Sequence, residues 1–197
     1  MTRADLLDAA FAEVKALHET NAALRDFAPF PDDVVVQDLV PYHVPAATLL
    51  ESEQGLSASE YPALRDALQA LSPTMLWREP YKDTEIGAGF MDRFVCYEII
   101  GRDAPFASDN IRSFLVYHPP HLHYPWHHHP AEELYVVIAG EAEFHLQGQG
   151  AEVLRSGQAS FHPKGVPHAL TSHAHPVLAY VIWRDDFDVA PVWTMDP

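Results

Sequence analysis

The stretch HLHYPWHHHPAEELYVVIAG, residues 121–140, contains five of the thirteen histidines of the chain within its first nine positions. Side chains alternate along a β-strand, so residues of like parity share one face. Four polar residues have the same parity as apolar Val137: His127, His129, Glu133 and Tyr135. If Val137 faces the core of the protein, these four side chains face it as well, whereas His128 and Glu132 point outward.

The carboxylate of Glu133 decides how this face is interpreted. An unpaired charge is costly to bury, so a buried carboxylate requires a cation or hydrogen-bond donors. Two imidazoles and a metal ion would supply that partner, which predicts a metal site on the inward face. The alternative is a hydrogen-bonded cluster of histidines that packs in the core without a metal.

Composition limits the classes of function. The chain has 197 residues, of which 48% are hydrophobic, enough for a sizeable core in one domain with an appendage. Its 28 acidic and 12 basic residues give a net charge of −16, which argues against nucleic acid and anionic membranes as partners. The single cysteine, Cys96, excludes an internal disulfide and fits a reducing compartment. Neither a signal peptide nor a membrane span is apparent, so we expect a cytoplasmic protein.

Two kinds of hydrophobic periodicity divide the chain. Residues 2–26, 46–51 and 59–71 have the pattern of helices, with Thr2 and Asp5 as an N-terminal cap pair. After about residue 77, short strand-like segments alternate with turns, and we interpret 134–140 and 141–146 as two of these strands. We therefore expect an α-helical extension over 1–76 and an antiparallel β-barrel over 77–197. The helices pack on the barrel or against a second subunit, and a homodimer is possible.

A second segment, GQASFHPKGVPHAL over residues 157–170, carries a further histidine, His168. The pattern His127-x-His129-x3-Glu133-x6-Gly140 resembles the first motif of the cupin superfamily, and Gly157-x5-Pro163-x-Gly165-x2-His168 resembles the second. Ser172 stands where the second motif usually ends in asparagine. The resemblance implies a mainly β fold, with a single cupin barrel of the jelly-roll type.

The resemblance to cupins also implies one divalent transition metal held by His127, His129, Glu133 and His168. Imidazole and carboxylate ligands suit Zn, Fe or Mn, and also Ni or Cu, so the ligands do not select the metal. Tyr135 shares the face of Glu133 two residues further on, which brings its hydroxyl beside the metal. Tyr135 is therefore either a packed core residue or a general base whose pKa a cation would lower.

The Glu-x-Tyr continuation, the upstream Tyr124, Trp183 on the last long strand and the helical extension resemble the cupin-type dimethylsulfoniopropionate (DMSP) lyases, in particular the DddQ-like members of marine bacteria. This resemblance implies cleavage of DMSP to dimethyl sulfide and acrylate. It also implies that His129, Glu133, Tyr135 and His168 lie at the metal as its ligands, that Tyr135 acts as base and that Tyr124 assists it.

The cationic sulfonium group of DMSP suits aromatic walls. Tyr124 and Trp183 are the preferred candidates for these walls, with Tyr97, Trp126 and Phe161 as further ones. Two other functions are compatible with the same residues. An Fe(II)-dependent cupin dioxygenase could use the same ligands, and a cupin that only binds a small molecule would need no base at Tyr135.

Overall fold

The computed structural model describes residues 1–84 and 86–194. Residue 85 and residues 195–197, which belong to the expected barrel region, lie outside the described residues. The predicted mainly β architecture with N-terminal helices is confirmed. No helix in the described part of the chain is both long and apolar enough to cross a membrane.

The described residues contain five α-helices, four of which lie within the first 76 residues. The helices are α1 (Arg3–Thr20), α2 (Ala22–Phe27), α3 (Ala47–Glu51), α4 (Pro62–Leu71) and α5 (Gly87–Met91). Thr2 and Asp5 form a reciprocal capping box at the start of α1, as predicted. The single helix predicted over 2–26 is wrong, because the Asn21 side chain accepts a hydrogen bond from the Leu24 backbone and starts a new helix there.

The strands form a barrel with two layers. They are β1 (Val35–Val36), β2 (Trp77–Arg78), β3 (Val95–Ile100), β4 (Phe106–Ala107), β5 (Arg112–His118), β6 (Leu122–His128), β7 (Glu132–Leu146), β8 (Glu152–Arg155), β9 (Ala159–His162), β10 (His168–Ser172), β11 (Val177–Arg184) and β12 (Val192–Trp193). The first layer has the order β1-β4-β3-β5-β11-β7, with β2 on β3 and β9 on β7. The second layer runs β7-β10-β6-β12, with β8 also on β7. Strand β7 therefore belongs to both layers.

The long strand β7 corrects the prediction of two separate strands over 134–140 and 141–146. Its first half pairs with β11 and β9, and its second half pairs with β8 and β10. The chain passes from one layer to the other at Gly140, where φ is +73° and a Cβ atom would lie 1.8 Å from the Pro176 carbonyl oxygen. Only glycine fits this conformation and this close approach.

The first layer is buried on both faces. Its outer face shares one hydrophobic cluster with helices α1 to α4, and its inner face belongs to a second cluster between the layers. Polar contacts also join helices and barrel: His18 Nε2 lies 2.8 Å from the Tyr180 hydroxyl, and the Tyr97 hydroxyl donates to Leu68 O at 2.9 Å. The helices thus cover the outer face of the first layer, and the polar residues of β6, β7 and β10 lie in the interior beside the second cluster.

Candidate metal centre and adjoining cavity

Three side chains converge in the barrel interior. His129 follows β6, Glu133 lies near the start of β7, and His168 begins β10. One ligand atom from each lies within 4.8 Å of the other two, and all three residues are buried. Glu133 Oε2 is 3.4 Å from His129 Nε2 and 3.0 Å from His168 Nε2. We call His129, Glu133 and His168 the inner group.

The orientation of the imidazoles suits a metal. Nδ1 of His129 lies 3.0 Å from Ala131 O, and Nδ1 of His168 lies 3.0 Å from Val166 O. Because a carbonyl can only accept, each Nδ1 carries the proton and each Nε2 presents a lone pair. Both Nε2 atoms are buried and have no hydrogen-bond partner in the described part of the chain. Two orphaned imidazole nitrogens and a carboxylate oxygen directed at one another form a donor set for a divalent transition metal.

The surroundings of Glu133 and of His129 shift the pKa values of both groups. Burial by itself raises the pKa of Glu133, but His129 and His168 outweigh it and hold that pKa well below its usual value. Burial lowers the pKa of His129, whereas the Glu133 carboxylate raises it, with a net increase. The carboxylate is therefore ionised and demands positive charge beside it. A bound cation would meet this demand in place of a proton on His129.

His127 lies next to the inner group. Its Nδ1 is 2.8 Å from Pro125 O, so this ring has the same tautomer as the other two, with the lone pair on Nε2. Its ring centroid lies 4.2 Å from that of His168 and 6.3 Å from that of His129. His127 is not part of the group of three whose ligand atoms lie within 4.8 Å of one another. Burial, followed by His168, lowers its pKa well below the usual value, so His127 is neutral.

Two neighbouring strands hold the Glu133 carboxylate in place. Glu133 pairs directly with Trp183 of β11 on one side and with His162 of β9 on the other. Trp183 Nε1 donates to Oε1 at 2.6 Å, and His162 Nδ1 lies 2.9 Å from Oε2. His162 is buried, and the Ser160 hydroxyl lies 3.0 Å from its Nε2. Burial and then His168 lower the pKa of His162 to about 4, so it is a neutral donor to Glu133 at neutral pH.

The sequence analysis did not identify His162. It immediately precedes Pro163 of the second motif, and its only signal was a histidine inside a strand-like segment. Its contact with Glu133 depends on the register of β9 against β7, which is a pairing between segments distant in the sequence.

A cavity of about 340 Å³ opens beside Glu133. Tyr124, Tyr135 and Trp183 line it together with Tyr81, which lies in the connection between β2 and α5. The hydroxyls of Tyr81 and Tyr124 form a short hydrogen bond. Burial, and next the Glu133 charge, raise the pKa of Tyr135 well above its usual value. Burial also raises the pKa of Tyr124.

The same cavity has a cationic side. Arg78 and Arg112 both line it, and Arg112 is paired with the buried Glu98 through Nε at 2.9 Å and Nη2 at 2.8 Å. Arg78 lies 3.8 Å from the same carboxylate, and both guanidinium groups lie over the Phe114 ring. The cavity therefore joins aromatic surface to a metal-binding donor set and to two arginines that share one carboxylate.

The other aromatic candidates lie away from this cavity. The Tyr97 hydroxyl bonds Leu68 in the core between helices and barrel, Phe161 is 44% exposed and packs on Phe27, and Trp126 contacts His145. Their assignment as walls of the site is wrong, because each belongs to the opposite face of its strand.

The residues expected to point outward do so. His128 Nδ1 lies 2.6 Å from the Thr194 hydroxyl, and Glu132 pairs with Arg184. Ser172, the departure from the usual asparagine, is buried and its hydroxyl donates to Pro119 O at 2.6 Å and accepts from the Leu122 backbone at 3.1 Å. Ser172 therefore fixes the start of β6 and leaves the inner group unaffected.

Comparison with known proteins agrees with this fold. Residues 18–179 match the family model described as dimethylsulfoniopropionate lyase. The chain is 45% identical over 183 residues to the dimethylsulfoniopropionate lyase DddQ of Ruegeria pomeroyi, covering 93% of this chain and 91% of that protein.

Solved structures give the same result. The crystal structure of DMSP lyase DddQ from Ruegeria pomeroyi DSS-3 superimposes with a TM-score of 0.93 at 43% identity, covering 96% of each chain. A chain from the crystal structures of the DMSP lyases RdDddP and RnDddQII also has a TM-score of 0.93, at 33% identity, covering 98% of this chain and 100% of the other. The fold is a cupin β-barrel with an N-terminal helical extension, and the chain belongs to the dimethylsulfoniopropionate lyase family.

Proposed function

We propose that this protein is a metal-dependent carbon–sulfur lyase that cleaves DMSP to dimethyl sulfide and acrylate. The observation that carries the proposal is the juxtaposition of the inner group with a tyrosine-lined cavity. Tyr135 lies two residues beyond Glu133 on the same face of β7, and both side chains line the cavity. The family of the chain supports the same reaction.

The reaction needs one base and no redox cofactor. Tyr135, as phenolate, removes a proton from the carbon next to the substrate carboxylate. The electron pair of that C–H bond forms the new C=C bond, and the C–S bond breaks with its electrons on sulfur. Dimethyl sulfide therefore leaves as a neutral molecule, and acrylate remains. The proton on Tyr135 passes to solvent before the next turnover.

His129, Glu133 and His168 would hold one divalent transition metal, with His127 and Tyr135 as further candidate ligands. Such a cation would supply Lewis-acid stabilisation of negative charge on the substrate carboxylate and on the phenolate of Tyr135. The protein by itself raises the pKa of Tyr135, through burial and then through Glu133. The base therefore depends on positive charge beside it. Zn, Fe and Mn all suit these ligands.

Aromatic surface suits the other end of the substrate. The weakly hydrated sulfonium group is attracted to aromatic faces by about 0.5 to 2 kcal/mol at each contact. Tyr124 and Trp183 line the cavity together with Glu133 and are the binding residues we assign. The Tyr124 hydroxyl, bonded to that of Tyr81, assists by keeping a polar donor close to Tyr135.

We assign His162 and Trp183 a positioning role through Glu133. Each donates to a different oxygen of that carboxylate, which fixes its plane and leaves Oε2 directed at the two orphaned Nε2 atoms. Partners that orient a metal ligand are typically worth about 10- to 100-fold in metal affinity or activity. Trp183 combines this role with its place in the cavity wall.

Other elements of the proposal follow from composition. The substrate is a small zwitterion, and the net charge of −16 does not favour nucleic acid. The buried free thiol of Cys96 agrees with a reducing cytoplasm, which is the compartment we propose for the protein. The helical extension over 1–76 and the barrel over 77–197 are two parts of one working unit, and a homodimer is a possible assembly.

Gas chromatography of the headspace over purified protein and DMSP tests the proposal. The reaction is run under argon and in air, and acrylate is quantified in solution. We expect equal amounts of dimethyl sulfide and acrylate, at the same rate in both atmospheres, and loss of the activity when a chelator has removed the metal. Turnover only in air would favour a dioxygenase. Saturable binding of DMSP without product would favour a binding protein.

A further inference from the structure

A second group of imidazoles and a carboxylate lies on the outer surface of the barrel. In the second layer, Thr171 of β10 pairs directly with His123 of β6 and with Glu143 of β7. These three residues form one row across three strands, on the face opposite the inner group. His145 follows Glu143 by two residues and His173 follows Thr171 by two, so both extend the same face.

The distances from Glu143 to two imidazoles on this surface are similar to the distances from Glu133 to two imidazoles of the inner group. Glu143 Oε2 lies 2.9 Å from His173 Nε2 and 3.5 Å from His145 Nε2. The matching distances at Glu133 Oε2 are 3.0 Å and 3.4 Å. Ligand atoms of a tetrahedral zinc site are roughly 3.3 Å apart, since each Zn–N distance is about 2.0 Å. Each imidazole of this surface therefore lies close enough to Glu143 Oε2 to share a divalent transition metal with that oxygen.

A hydroxyl links a further imidazole to this group. Thr171 Oγ1 lies 3.4 Å from His145 Nε2 and 2.8 Å from His123 Nδ1. We call Glu143, His145 and His173 the outer group, with Thr171 and His123 beside it. The H-x-H pair of His121 and His123 in the opening stretch thus faces away from the barrel interior, and His123 extends the outer surface.

The side chains of the outer group are more exposed to solvent than those of the inner group. The exposed fraction is 24% for the His145 side chain, 29% for Glu143 and 62% for His173. Within the described residues, only the inner group has three ligand atoms all within 4.8 Å of one another. Metal binding by all three residues of the outer group therefore requires the exposed His173 ring to turn toward His145, and the proposal includes this change. Exposed pairs of this kind contribute little to stability, so they oppose such a turn weakly.

We propose that Glu143, His145 and His173 form a second, exposed metal site that binds a borderline divalent ion such as Zn²⁺, Ni²⁺, Co²⁺ or Cu²⁺. One carboxylate and two imidazoles leave the remaining positions to water or to the Thr171 hydroxyl. The net charge of −16 raises the local concentration of cations. Cu²⁺ binds tightest among these ions. The site is independent of the lyase reaction and does not rest on it.

Equilibrium dialysis of metal-free, tag-free protein against micromolar Zn²⁺, with bound zinc measured by plasma emission, tests the proposal. We expect two zinc ions per wild-type chain. The double variant His145→Ala, His173→Ala should bind one, and Glu133→Gln, which removes an inner ligand, should keep the outer ion. His175→Ala is the matched control, because it removes an exposed histidine two residues from His173 and should still bind two.

Three results would overturn the proposal. Wild-type protein that binds a single zinc ion under these conditions has no second site. A second ion that persists in the double variant binds elsewhere. Loss of the second ion in His175→Ala as well would show that it follows the number of surface histidines and not the group around Glu143.

Discussion

The inner and outer groups contain the same residue types, with similar distances from one glutamate oxygen to two imidazoles. Each has a glutamate on β7 whose Oε2 atom faces two imidazole Nε2 atoms, at 3.4 and 3.0 Å inside and at 3.5 and 2.9 Å outside. Inside, every side chain is at most 2% exposed, whereas outside the exposure reaches 62%. The two surfaces of one strand therefore present one donor set in two environments.

Residue type alone therefore does not make a catalytic site. The inner imidazoles are oriented by carbonyl groups of the backbone, and Glu133 is held by Trp183 and His162. A low dielectric strengthens each of these interactions. The inner group also adjoins a cavity that contains Tyr135, which the outer surface does not offer. Burial, orientation and the adjoining cavity are the reasons why we propose the inner face as the site of the chemistry.

The largest effect is expected from removing the inner carboxylate. Glu133→Gln should lose most bound metal from the inner group and lower activity on the order of 10³-fold or more, because the Lewis acid contributes several kcal/mol to the transition state. The matched variant Glu143→Gln makes the same change on the outer surface and should retain activity. Plasma emission and dimethyl sulfide release are measured on both proteins.

Since Glu133 is buried and its replacement could disturb folding, His168→Ala provides a second test with a different ligand. It should lose metal and activity together while the circular dichroism spectrum stays native. Full metal occupancy at the inner group in either variant would remove that residue from the ligand set.

The next largest effect concerns Tyr135, which has no counterpart on the outer surface. Tyr135→Phe keeps the ring and removes the hydroxyl, so kcat should fall by about 10²- to 10⁴-fold, as expected for a lost general base. Bound metal should change little. Tyr97→Phe is the control, because it removes a buried hydroxyl on the other side of the same layer. Near-normal turnover in Tyr135→Phe would make this residue part of the packing, with Tyr124 the next candidate for the base.

A smaller effect is expected at His162, which positions Glu133. His162→Ala should weaken metal affinity and lower kcat by about 10- to 100-fold, because Glu133 loses the donor to Oε2. His162→Asn places an amide N–H near the same position and should recover part of the loss. Metal titration with kinetics for both variants separates this role from simple packing. Equal defects in Ala and Asn would indicate that only the shape of the imidazole matters.

The smallest effect is expected at His18, a buried histidine outside both groups, and exposed His175 serves as the comparison. His18 bonds Ala28 O and the Tyr180 hydroxyl, and burial lowers its pKa to about 4. Between pH 6.5 and 4 the unfolded chain takes up a proton at this residue and the folded chain does not, so stability falls as pH falls. At pH 5 the cost relative to pH 7 is about 2 kcal/mol.

Urea unfolding at pH 7 and pH 5 measures this cost. His18→Gln cannot titrate, so its stability should decrease less than that of the wild type over the same interval, by about 2 kcal/mol. His175→Gln replaces an exposed histidine and should follow the wild type. Identical pH dependence in all three proteins would contradict a buried neutral His18.

Local patterns predicted much of this architecture and of the site. Strand parity placed Glu133 and Tyr135 on the inward face with His129, and His128 and Glu132 on the opposite one. For Glu132, Glu133 and Tyr135 the prediction succeeded because all three lie on β7, and side-chain alternation within one strand depends only on that strand. His129 lies between β6 and β7, so its position beside Glu133 depends on the connection between these strands. The capping box at Thr2 and Asp5 is likewise a contact between neighbours in the sequence.

Contacts between distant segments could not be predicted in this way. His162 and Trp183 reach Glu133 through the register of β9 and β11 with β7. Tyr81 reaches Tyr124 from a connection outside the strands. Register is set by tertiary packing, and a shift by one residue would turn each side chain to the other face. The outer group around Glu143 depends on the same kind of pairing.

A metal titration of the metal-free enzyme, with bound metal and dimethyl sulfide release recorded at each addition, tests most directly whether the inner group carries the chemistry. We predict that activity rises with the metal ion bound by Glu133, His129 and His168 and is complete at one equivalent. A further equivalent bound by the outer group should add none. Full activity in the metal-free protein would contradict this account. So would activity that rises only when the outer ion binds, which is the ion that the double variant His145→Ala, His173→Ala no longer binds.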